Sequence, residues 1–201
     1  MAHRTPPGFT VDQLGVHPLA PERWDDLADL FGKSGADGGC WCMWWRIPGK
    51  DWSESAKDEH REALHGLVCS GAAQGLLAYH AGKAVGWCSL GPRSDFARLD
   101  TSRYWQAVDD AEVWSVVCFF IRRQYRGQQV ATRLLAEAIV YARQKGAKIL
   151  EAYARDTGDQ EVNDTFLYTG KYDTYIRAGF VEVARRHETY PIMRLDLTAV
   201  P

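Results

Sequence analysis

The stretch Arg122 to Thr132, RRQYRGQQVAT, carries residue types and a spacing that suit one kind of chemistry, the holding of a phosphate. Ahead of it, Val113 to Ile121 is an almost unbroken run of β-branched, aromatic and small apolar residues, which suits a strand covered on both faces. Behind it the apolar period becomes helical: Val130, Leu134, Ala138 and Ala142 recur at i, i+4, with Ala131, Leu135 and Ile139 beside them. Arg143 and Lys145 in the last turn and Gly146 beyond it make a favourable helix end. The first turn of such a helix has N–H groups without partners and the positive end of the dipole. Gly127, Gln128, Gln129, Val130, Ala131 and Thr132 would then offer main-chain donors to an anion, with Arg122, Arg123, Arg126 and Arg133 around them. From spacing alone, a strand–helix connection that is merely basic reads the same way.

Two motifs in order carry a resemblance. Tyr125-Arg126-Gly127-Gln128-Gln129-Val130-Ala131 resembles the acyl-coenzyme A signature of the Gcn5-related N-acetyltransferases, (Gln/Arg)-x-x-Gly-x-(Gly/Ala), with Arg126 and Ala131 at its first and last positions. Gln129 stands where the signature has glycine, and this departure implies weakened rather than abolished binding. Further on, Tyr175-Ile176-Arg177-Ala178-Gly179-Phe180 resembles the late family helix that ends in Tyr-x-x-x-Gly-Phe. The resemblance runs from about Phe9 to Leu197. It implies an N-acetyltransferase that moves an acetyl group from acetyl-CoA to a primary amine by direct attack in a ternary complex. The alternative reading is a non-catalytic module that binds or senses acyl-CoA.

The resemblance also implies roles. Backbone amides from Arg126 to Thr132 would hold the pyrophosphate. Backbone groups of Phe119, Phe120 and Ile121, on a strand edge that splays from its neighbour, would pair with pantetheine and polarise the thioester carbonyl. Tyr175 would protonate the departing thiolate, a phenol being protonated at neutral pH yet within reach of a basic thiolate; Tyr172 is the weaker candidate. The competing reading of Tyr175 is a helix tyrosine packed on the sheet. For the general base, the place relatives give a carboxylate is Ser115, which cannot serve. Glu112, acting through water, comes first, with Glu151 on the next strand, and an acceptor amine of low pKa would need no base.

Cys40-Trp41-Cys42-Met43-Trp44-Trp45-Arg46 has the most unusual composition in the chain. Trp41, Trp44 and Trp87, with Trp45 and Trp52, could wall an acceptor pocket, aromatic faces being attractive to ammonium groups. Arg46 or Arg93 could pair with an acceptor carboxylate. The tryptophans could equally fill a core. Cys40-x-Cys42, with His60, His65 and Cys69 as conceivable partners, is poor zinc spacing, and no metal is expected. Cys88 and Cys118 read as buried and inert.

Positioning these residues takes a fold of helix–helix–strand–strand–strand–helix–strand–helix–strand order: α/β, with a mixed, mostly antiparallel central sheet flanked by helices. Phe9 to Val16 reads as a first strand, Pro21 to Phe31 and Asp51 to Leu67 as helices, and Gly75 to His80 with Ala84 to Leu90 as a hairpin. Asp95 to Val108 reads as a short helix or lid. Ala147 to Tyr153 is a strand, 155–163 a polar loop, Thr165 to Ala178 partly helical, and Phe180 to Glu188 with Ile192 to Leu197 a closing pair. With 201 residues the chain reads as one domain, 1–201, with 1–8 flexible and 32–56 a Trp/Cys-rich segment on the acceptor side. A formal charge of −2 gives no general attraction to nucleic acid or anionic membrane. Five cysteines, an odd number, and the absence of a long apolar run point to a cytoplasmic protein with reduced thiols. The expected partner is a small-molecule amine, and relatives commonly form homodimers.

Overall fold

The computed structural model describes residues 6–53, 56–158 and 162–199. A seven-stranded sheet runs through them: β1 (Gly15–Pro18), β2 (Gly75–His80), β3 (Lys83–Pro92), β4 (Trp114–Ile121), β5 (Ile149–Tyr153), β6 (Val181–Arg185) and β7 (Pro191–Asp196), in the spatial order β1-β2-β3-β4-β5-β7-β6. Every neighbouring pair is antiparallel except β4 and β5, which are parallel. The crossover between those two is the long helix α4 (Val130–Gln144), as a parallel pair requires. The fold class read from the sequence is thus the observed one.

Alternation along the strands separates two layers. Leu76, Ala78, Cys88, Leu90, Val116 and Phe119 pack with the apolar stripe of α4 on one face. On the other face, Leu77, Ala84 and Trp87 pack against α1 (Trp24–Phe31), α2 (Lys57–Cys69) and the Trp/Cys-rich segment. α4 lies close to the sheet because residue 86 is glycine: a Cβ there would sit 2.9 Å from Val130 and 3.1 Å from Leu134.

Several boundaries differ from the sequence reading. The first strand begins only at Gly15, after a single turn at Val11–Gln13. Helix α2 begins at Lys57, not Asp51, because a separate turn at Gly49–Asp51 precedes it. Asp95 to Val108 contains α3 (Ala97–Thr101) and is otherwise irregular. Thr165 to Ala178 is interrupted, with α5 limited to Tyr172–Arg177. Residues 1–5 of the N-terminal segment expected to be flexible, and 159–161 of the polar loop, lie outside the described residues.

Candidate active site

β4 changes partners along its length. Its parallel ladder with β5 ends at Val116↔Ala152. At the same place its register with β3 slips, Ser89 facing Cys118 and Leu90 facing Val116, so Val117 is the extra residue of a β-bulge. Residues 117–121 therefore lie beyond the last rung shared with β5, where Phe119 N–H pairs with Tyr168 O instead. A short turn, Arg123–Tyr125, then leads into α4. Tyr125 pins the turn: its buried ring meets Phe9 edge-on, and its hydroxyl lies 2.9 Å from His80 Nδ1.

The connection ends in two left-handed residues, Gly127 at φ +72° and Gln129 at φ +61°. Gln129 occupies the signature's glycine position, and its conformation is one glycine adopts freely and an L-residue at a cost of roughly 1–2 kcal/mol. Gln129 is exposed. The first rung into α4 is Arg133 N–H to Gln129 O at 3.0 Å, so the N–H groups of Gly127 to Thr132 precede the ladder. Those donors fit a phosphate, with open space around Gly127. The arginines contribute less than their number suggests. Arg122 reaches Ala84 O and Asp29, Arg126 Nε donates to Ile121 O, and Arg133 pairs with Glu137.

Against residues Cys118 to Phe120 lies a cavity of about 550 Å³. Its aromatic walls are Trp44, Trp45, Trp52, Phe120, Phe166 and Tyr168. Ala36 to Gly38 form part of its border, and Cys40, Cys42 and Cys118 add thiols. Trp41 and Cys42 both have positive φ, 43° and 53°, in a tight turn closed by Met43 N–H to Cys40 O at 2.7 Å. Burial and the neighbouring Cys42 push the Cys40 thiol up to about 11. A hydrogen bond with Cys42, together with burial, holds Cys118 well above its usual range. At neutral pH these sulfurs are thiols, and they act as apolar wall.

Several residues singled out from the sequence lie away from the cavity or are engaged with other groups. Tyr175 is fully buried and donates its hydroxyl to Thr169 O at 2.6 Å, away from the cavity lining. Burial also keeps that phenol strongly protonated. Glu112 is exposed and precedes the first residue of β4. It lies five residues before the bulge at Val117, about 17 Å of extended chain. Trp41 and Trp87 are core, and the Trp87 indole donates to Cys42 Sγ at 3.1 Å. Arg93 is consumed by Glu151, Tyr153, Asp100 and the Trp105 carbonyl. Arg46 pairs with Asp95 at 3.5 Å and lies over the Phe96 ring. Phe119 N–H is taken by Tyr168 O at 2.6 Å, while the Phe119 side chain packs under α4. Of the seven residues expected to wall the acceptor pocket, Trp44, Trp45 and Trp52 line the cavity, and Trp41, Trp87, Arg46 and Arg93 do not.

Glu151 is no free base. It is fully buried between Arg93 Nη1 at 3.2 Å and Arg194 Nε at 2.8 Å, and it accepts a bond from Tyr153, whose hydroxyl also lies 2.9 Å from Ser115 Oγ. Among the described residues, no three His, Cys, Asp or Glu side chains converge as a metal site. His60 faces Gly39 O, and His65 lies beside Cys69 on α2. No helix among those residues is long and apolar enough to cross a membrane. Sequence reasoning missed Phe166 and Tyr168; the available signal was the cluster Phe166-Leu167-Tyr168 closing an otherwise polar loop.

Comparison with known proteins agrees with this geometry. The chain resembles an acetyltransferase of Corynebacterium glutamicum described as histone acetyltransferase HPA2 and related (18% identity, TM-score 0.56, covering 94% of this chain and 98% of that one). It also resembles the PaiA N-acetyltransferase of Thermoplasma acidophilum in complex with coenzyme A (15%, TM-score 0.52, 91% and 98%). A third likeness is to yncA of Salmonella typhimurium with its cofactor acetyl-CoA (14%, TM-score 0.51, 92% and 94%). At such identities the likeness is one of fold. No curated protein matches the chain in sequence. The model of the acetyltransferase (GNAT) family matches residues 40–166, from the first thiol of the cavity wall through β4 and α4 to Phe166. This chain belongs to the acetyltransferase (GNAT) family and is an acyltransferase.

Proposed function

We propose that the enzyme transfers the acetyl group of acetyl-CoA to the primary amine of a small molecule, by direct attack while both are bound. One observation carries the reading: residues 117–132 place a bulged strand end, past its last rung with β5, and a helix start in succession, and the aromatic cavity abuts the same stretch of strand. The coenzyme A bound to PaiA and the acetyl-CoA bound to yncA, proteins of the same fold, support the choice of donor. Acetyl-CoA supplies an activated acyl group and a good leaving group.

The chain's own residues do the rest. The N–H groups of Gly127 to Thr132 hold the diphosphate, with Gln129 already in the conformation that leaves its side chain outside. Phe119 N–H is released from Tyr168 O when a ligand needs it, at a cost of about 1 kcal/mol for one exchanged hydrogen bond. The cavity holds the amine. Tyr168, not Tyr175, is the phenol that lines it, and it would give the proton to a departing thiolate. Among the described residues Asp37 is the one carboxylate on the lining and it is exposed, and in this reading the ammonium proton leaves to water. The rate should therefore climb with pH along the acceptor's own titration.

The test is a melting curve with and without acetyl-CoA. At a hundredfold over Kd, binding stabilises by about 2.7 kcal/mol, a rise of about 5–11 °C for a chain of this size. Release of free thiol with an amine panel then separates an enzyme from a sensor. No melting shift at millimolar acetyl-CoA would refute the proposal.

A further inference from the structure

We propose that the acceptor is a primary ammonium compound with a flat apolar or aromatic body and no carboxylate or phosphate. This deepens the transferase reading above and rests on the cavity being its acceptor side.

The argument is one of charge inside a defined space. Around about 550 Å³ the walls are indole, phenyl and phenol rings, with the sulfurs of Cys40, Cys42 and Cys118, of which Cys40 and Cys118 stay protonated. Among the described residues, Asp37, at the border, is the one carboxylate on the lining, and no lysine, arginine or histidine lines the cavity with it. Two nearby arginines are engaged. Arg46 is paired with Asp95, and Arg93 is divided between Glu151 and Asp100. Arg98 is stacked on Trp44, its guanidinium carbon 3.7 Å from the ring centroid, and donates Nε to Trp44 O; its buried Nη2 has no partner among the described residues, but Arg98 does not itself line the space.

A ligand carboxylate entering here would lose its hydration, find no cation on the described lining and meet Asp37 as a like charge. An ammonium group gains from the aromatic faces and from Asp37. Trp45 adds a second pointer to a ligand. It is buried to 1% exposure, lines the cavity, and its indole N–H has no hydrogen-bond partner, which buried indoles usually have. An uncharged acceptor atom on the ligand body would satisfy it.

The experiment compares 2-phenylethylamine with phenylalanine, which differ only by the carboxylate. Binding is followed by quenching of intrinsic tryptophan fluorescence, since three tryptophans line the cavity, and in parallel by thiol release from acetyl-CoA. The amine should bind at least about 100-fold more tightly, a difference of about 2.7 kcal/mol, and should be the faster acceptor by a similar factor. Asp37→Lys, at an exposed position, should melt like the parent protein and shrink that preference at least tenfold or invert it. Equal affinity for the two ligands, or no binding of either, overturns the inference. So does an Asp37→Lys variant that keeps the full preference. The transferase reading fails separately: selective amine binding without acetyl-CoA binding would leave the cavity assignment standing and remove the chemistry. Indiscriminate acetylation of amine and amino acid would do the reverse.

Discussion

At one end of β4, residues 127–132 offer main-chain N–H groups that any side chain could accompany. Across the sheet, the cavity offers rings and thiols drawn from segments distant in sequence, 36–52, 118–120 and 166–168. The first region is made by backbone conformation: a bulge, a pinned turn and two positive φ angles. The second is made by side-chain identity and tertiary packing. The difference teaches where substitutions should act. The backbone site should tolerate changes of side chain and fail when its backbone is displaced. The side-chain site should keep its shape under many backbone adjustments and fail when one functional group is removed.

The largest expected effect is on the side-chain region. Tyr168→Phe removes a hydroxyl and little volume. If Tyr168 is the proton donor, kcat should fall about 10²-fold or more, while the melting shift with acetyl-CoA stays at its full size. Tyr175→Phe is the control. It leaves the Thr169 carbonyl without its buried donor and should cost about 1–3 kcal/mol of stability, with kcat within a few-fold. A reversal of the two results would return the acid role to Tyr175.

Next in size is displacement of the backbone region. Gly86→Val places new atoms within 3 Å of Val130 and against Leu134, at the first turns of α4. Overpacking of this kind costs about 1–3 kcal/mol. The acetyl-CoA melting shift should shrink with it, although residue 86 lies on β3 and outside the turn itself. An unchanged shift would mean that α4 does not hold the diphosphate.

The same contrast explains what could be read from the sequence. The strand–turn–helix unit was legible because it is local: an apolar run of nine residues, a break in pattern and a change of period lie next to one another. The fold class, an α/β fold with a mixed sheet, followed from the alternation of strands and helices. Roles that depend on distant partners were not legible. Nothing near Arg93 in the sequence announces Glu151 and Asp100, which consume its guanidinium, and nothing near Glu151 announces Arg194. Tyr175 fits its motif by spacing, yet the chain from Thr169 to Lys171 folds back and caps its hydroxyl. Tyr168 has no motif and reaches the cavity through that same fold-back. Glu112 was near the strand in number but at its far end in space.

A smaller effect concerns Gln129. Gln129→Gly removes an L-residue from the left-handed region at a site whose side chain is exposed. The expected gain is about 1 kcal/mol, seen as a rise in Tm of about 2–4 °C. Affinity for acetyl-CoA should tighten only a few-fold, since the backbone already has the conformation glycine would supply. A tightening of a hundredfold or more would show that the glutamine side chain obstructs the diphosphate, and the turn would then not be indifferent to its side chains.

The smallest effect lies where the loop after β5 is tied to the sheet. Arg185 grips Asp156 at 2.8 Å and Glu182 at 2.6 Å, and these bonds hold both carboxyls below their usual ranges. A carboxyl lowered in the folded state adds stability that is fully present above its unfolded pKa, about 3.9 for Asp and 4.3 for Glu. That stability fades as pH falls through the lower folded values. Both pairs are partly exposed, so salt should weaken them too. The clasp leads directly to the segment that carries Phe166 and Tyr168: Arg155 N–H bonds Gly170 O at 2.8 Å and Asp156 N–H bonds Thr189 O at 3.0 Å. Hydrogen exchange at those two amides, corrected for intrinsic rates, should rise a few-fold between pH 5 and pH 3. The Arg133 amide, which closes the first rung of α4 onto Gln129 O, should not follow. If all three amides lose protection together, the acid response is global, and the cavity wall has no separate tether from the phosphate turn.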